Sequence, residues 1–88
     1  MNGPAERLVL TEDAEAARTN LSAPVRLDVD QALRSIKNSP GWTPGRHVAP
    51  ADAPYPGAIV DLTVQGIAIV YRIRGDTVEV LVIRPVLF

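Results

Sequence analysis

From Ile67 to Ile83, apolar residues recur at alternate positions on both sides of Gly75-Asp76 (IAIVYRIRGDTVEVLVI), a pattern that belongs to a β-hairpin. A two-residue Gly-Asp turn sets the pairing. Ile73 should then face Val78, Tyr71 face Val80 and Ile69 face Val82, all toward a core. On the other side Arg72 should face Glu79, and Val70 should face Leu81. In this register Arg72 is a cross-strand ion pair, and Arg74 is a solvated group at the hairpin tip. Arg84 falls on the core-side parity opposite Ile67, where a charge is costly unless it emerges at a sheet margin.

Upstream, the period changes. Arg7 to Leu10 reads as an opening strand, and Thr11 before Glu12, Asp13 and Glu15 reads as the cap of a short alanine-rich helix. Ala14, Ala17 and Leu21 share one face of it. Ser22-Ala23-Pro24 starts a second helix, since proline suits a first turn. Its apolar stripe is Val25, Val29, Ala32, Leu33 and Ile36, and Asn38-Ser39-Pro40-Gly41 ends it. Residues 41–57 form a proline- and glycine-rich loop holding Trp42, Arg46, His47 and Tyr55. From Ala58 the alternation predicts a strand with Val60, Leu62 and Val64 on one face and Asp61, Thr63 and Gln65 on the other. The expected fold is α+β: one domain over residues 1–88, with two N-terminal helices packed on one face of an antiparallel sheet.

Bulk properties exclude several chemistries. The chain has 88 residues, 47% hydrophobic and 22% charged, which suits one packed core. With no cysteine and one histidine, no disulfide framework, thiolate zinc site or multi-histidine metal site is expected, and no cofactor. No apolar run approaches the ~20 residues of a membrane span, and MNGPAERLVL lacks the layout of a signal peptide. A cytoplasmic protein with no membrane partner is expected. The net charge of −1 argues against a protein whose main task is holding a phosphate backbone.

With these elements in place, the sequence resembles the RelE/ParE superfamily of bacterial type II toxins. The matching segments are TEDAEAARTNL, VRLDVDQALRSIKNSP and GIAIVYRIRGDTVEVLVI, so the resemblance spans about Arg7 to Ile83. It implies a toxin neutralised by an antitoxin protein that wraps around it. RelE-like members cut messenger RNA on the ribosome, using basic side chains to hold the scissile phosphate. ParE-like members poison DNA gyrase and lack that set. Carried over position by position, the basic set falls on Ile59, Asp61, Ala68 and Phe88, none of which offsets phosphate charge.

The leading expectation is therefore a toxin-like protein that acts by binding an antitoxin, a target such as gyrase, or a second copy of itself. An active ribosome-dependent endonuclease is the alternative. It would have to draw on Arg46, His47, Arg72, Arg74 or Arg84 in another arrangement. A third reading is an unrelated α+β interaction module. For partner binding, the sequence points to Leu81, Ile83, Val86, Leu87 and Phe88, an apolar surface on a final strand expected at the sheet edge.

Overall fold

The structure, a computed structural model, describes residues 5–41 and 46–86. Trp42, Leu87 and Phe88 lie outside the described residues. The elements are β1 (Arg7–Leu10), α1 (Glu12–Thr19), α2 (Ala23–Asn38), β2 (Arg46–Val48), β3 (Ile59–Leu62), β4 (Ile67–Arg74) and β5 (Thr77–Pro85). The five strands form one mixed sheet in the order β1-β5-β4-β3-β2. It is a small α+β protein.

Both helices follow from their sequence. The Thr11 hydroxyl accepts the Ala14 amide at 3.2 Å and caps α1, whose first turn carries Glu12, Asp13 and Glu15. Pro24 sits in the first turn of α2. Ala14, Val29, Leu33 and Ile36 of the helices join alternate strand residues in one buried cluster: Ile59, Ile67, Ile69, Tyr71, Val78, Val80 and Ile83. Ala17, Leu21, Val25 and Ala32 pack against its margin. An Arg18–Asp30 ion pair, with N–O distances of 2.6 and 2.9 Å, ties α1 to α2. That hydrogen bond, followed by the attraction of Asp30 and Glu15, raises the Arg18 pKa against its partial burial.

Three expectations are corrected. The sheet is not wholly antiparallel: β1 runs parallel to β5, with Leu8 opposite Val78 and Leu10 opposite Val80. Main-chain bonds from Glu6 and Arg7 to the Asp76 carbonyl, and from Thr11 to that of Val80, hold it there. Consequently β5 is an interior strand, and the edges are β1 and β2. The described part of the proline-rich stretch, from Arg46 onward, is also more ordered than a bare loop. It contains the edge strand β2, a place where nearby prolines are tolerated. Residues 49–58 then close on themselves through Ala49–Ala58, Gly57–Ala49 and Ala58–Tyr55 main-chain bonds.

The third correction concerns which way side chains point. The hairpin turns at Gly75-Asp76 as expected, with Gly75 at φ +61°, and Ile73, Arg72 and Tyr71 pair with Val78, Glu79 and Val80. Beyond that point Val70 pairs with Val82, Ile69 with Ile83 and Ala68 with Arg84. Leu81 is therefore an extra residue, a β-bulge, and every side chain after it changes face. Ile83 enters the core at 3% exposure, while Val82 and Arg84 move to the opposite face. The costly inward Arg84 does not arise. In β3 the faces are likewise inverted: Ile59 and Asp61 take the parity of core residues Tyr71 and Ile69, and Val60 and Leu62 turn outward. Val64, expected to continue this strand, lies in the turn before β4 and is 94% exposed.

Candidate functional site

The face of the sheet away from the core carries Val60, Ala68, Val70, Val82 and Arg84 side by side on β3, β4 and β5. The closed loop at 49–58 stands beside them. Ala49, Ala53, Pro54 and Tyr55 complete a hollow of about 400 Å³ with Val60, Val70, Val82 and Arg84. A second hollow of about 500 Å³ shares Val60, Val70 and Arg84 and extends over Ala68, Pro85 and Val86. Together they make one apolar trough, and among the described residues its only charged lining group is Arg84. Among the described residues, none from a helix lines either part.

The bulge builds this site. Without the extra residue, Val82 and Arg84 would point into the core and Ile83 would take the trough position. Its carbonyl is not left free: the Thr11 hydroxyl donates to the Leu81 carbonyl at 2.9 Å. One threonine thus caps a helix and holds the bulge that aims an arginine.

The five basic candidates do not gather. Arg46 is 5% exposed and lies on the core-side parity. It donates to Asp61 at 3.0 Å and to the Ser39 carbonyl at 2.5 Å, with longer contacts to the Gly41 carbonyl and the Ser35 hydroxyl. It is committed to structure. Arg72 donates to Glu79 at 2.6 Å, the pair that the hairpin register predicts. Asp61 and Glu79, the two sheet carboxylates, are thereby both matched by arginines on neighbouring strands. Arg74 is exposed at the hairpin end of β4, and His47 is exposed on β2 opposite Val60. Among the described residues Arg84 has no ion pair.

Strand spacings measure the separations. Arg84 stands opposite Ala68, six residues along β4 from Arg74, or roughly 20 Å. From Arg72 it is four residues and one strand away, about 14 Å. His47 is three strands and two residues away, about 16 Å. A phosphate-cleaving site needs its donors within about 3 Å of the developing charge. With Arg46 and Arg72 bonded to Asp61 and Glu79, and the others starting from backbone positions this far apart, the described groups form no ready cluster.

Tyr71 is fully buried at the sheet centre, and its hydroxyl makes a long 3.4 Å contact to the Gly41 carbonyl. Burial pushes its phenol pKa upward; Asp61 adds to this and Arg46 opposes it. It is a core residue. Of the expected partner surface, Leu81 and Val86 are half-buried, and Ile83 is withdrawn into the core. Among the described residues no group of histidine and acidic side chains is arranged to hold a metal, and no helix is long and apolar enough to cross a membrane. Val60, Val70, Val82 and Tyr55 are the site residues that sequence reasoning missed. Alternation puts Val82 on the core side and Val60 on an apolar face, sets Val70 on the outer side without a role, and leaves Tyr55 in the loop.

Comparison with known proteins finds no matching family model, no curated relative and no similar solved structure.

Proposed function

We propose that the protein is a toxin-like component of the RelE/ParE type that acts by binding a protein partner and does not cut RNA. The observation that carries this reading is the trough. An extended apolar surface with one cation suits a protein contact, and the scattering of Arg46, His47, Arg72, Arg74 and Arg84 offers no cradle for a scissile phosphate. The order of elements, strand, helix, helix and then the closing strands, supports the family part of the reading. So does the shared buried cluster, taken as both helices covering one face of the sheet. On this view the protein is cytoplasmic, and its partner is an antitoxin encoded beside it.

Two measurements test this. Purified protein added to ribosomes programmed with messenger RNA should give no codon-dependent cleavage. The product of a short adjacent reading frame should co-purify with it. Cleavage that disappears in Arg84→Ala would overturn the binding reading in favour of an endonuclease. Failure of any neighbouring product to bind would leave an interaction module outside the toxin family.

A further inference from the structure

Resting on that binding reading, we propose that the trough accepts a short apolar peptide segment of the partner bearing one acidic side chain, whose carboxylate meets the Arg84 guanidinium. The apolar requirement comes from the walls. Val60, Val70 and Val82 form the floor, and Pro54 and Tyr55 the rim, so a polar segment would desolvate without finding partners. The acidic requirement comes from charge. Arg84 lines both hollows, no acidic side chain among the described residues lines either, and Asp61 and Glu79 are already taken by Arg46 and Arg72. An arginine fork at the edge of an apolar surface is matched by a carboxylate, which takes two parallel hydrogen bonds.

The trough is also constructed for this. The Leu81 bulge turns Arg84 outward into line with Val82, and the Thr11 hydroxyl holds the bulge. Bulges recur where a sheet re-aims a side chain for use. A peptide suits the space better than a compact small molecule, because two hollows of about 400 and 500 Å³ meet along Val60, Val70 and Arg84. A run of apolar side chains with one acid among them can occupy both.

Peptide display against the intact protein reads this directly. Sequences enriched on the native protein should combine two or more apolar residues with one Asp or Glu. Arg84→Glu should invert the charge preference to Lys or Arg, and Arg84→Met should weaken an acidic peptide selected on the native protein roughly 5- to 30-fold. Val70→Lys should abolish capture of either kind. Amide spectra of each variant confirm that it is folded, which exposed Arg84 makes straightforward. Enriched peptides without an acidic residue, or equal binding to native and Arg84→Glu protein, would overturn the inference. So would the absence of any enrichment. If the adjacent product still co-purifies in that case, the binding reading stands and only the trough assignment falls.

Discussion

A single arginine shows how far a residue's chemistry depends on where the chain puts it. Arg46, read from the sequence as part of a loop among prolines, looks like a catalytic candidate, yet on β2 it is one of the most deeply buried polar groups described. Its guanidinium spans the Asp61 carboxylate and the Ser39 carbonyl at the end of α2, where a positive charge also complements the helix dipole. Removing one partner of such a pair strands the other in a poor solvent. Arg46→Ala should therefore destabilise the fold by about 3–5 kcal/mol in urea unfolding. Arg46→Lys should recover little of that loss, since a single ammonium cannot bridge both acceptors. Asp61→Leu combined with Arg46→Met should be milder than Arg46→Ala alone. If Arg46→Ala unfolds at the native denaturant concentration, the pair is not structural. This buried pair also explains why the faces of β3 were illegible. Alternation assigns the carboxylate of Asp61 to water, and only a partner fifteen positions away makes the inward placement tolerable.

At the scale of elements, the helices and the hairpin turn were written locally and the site was not. The cap at Thr11, the stripe of α2 and the Gly75-Asp76 turn each depend on residues a few positions apart, and each forms where expected. The bulge leaves no such trace, because one extra residue in an apolar strand does not disturb composition. Yet it decides the faces of Val82, Ile83 and Arg84, and hence the trough. The contact that secures it spans 70 positions, from Thr11 to Leu81. Thr11→Ala removes both the cap and that donor, so a loss of about 1–2 kcal/mol is expected. Faster amide exchange should appear around Leu81 as well as in the first turn of α1. Thr11→Ser, which keeps the hydroxyl, should restore most of both. Exchange confined to α1 would show that the hydroxyl caps the helix without holding the strand.

For the whole molecule, the consequence of the topology is an imbalance between two faces of one sheet. The buried face holds the core, while the other presents Val60, Val70 and Val82 half-covered and Leu62 at 44% exposure. A net charge of −1 gives little repulsion to keep copies apart, and the isoelectric point is about 5.7. Without its partner, the protein should associate through this face as concentration rises. Association should be strongest near pH 5.7 and weaker near pH 4, where protonated carboxylates leave the nine lysines and arginines in excess. Val70→Lys places a cation in the middle of the apolar surface, and its long stem can reach water. Little core packing changes, so stability should move by less than about 1 kcal/mol while association falls. Sedimentation at several concentrations and both pH values checks this. A native protein that stays monomeric at high concentration near its isoelectric point would mean that the loop at 49–58 already shields the valines, and that the trough is too shallow to drive contact by its apolar area alone.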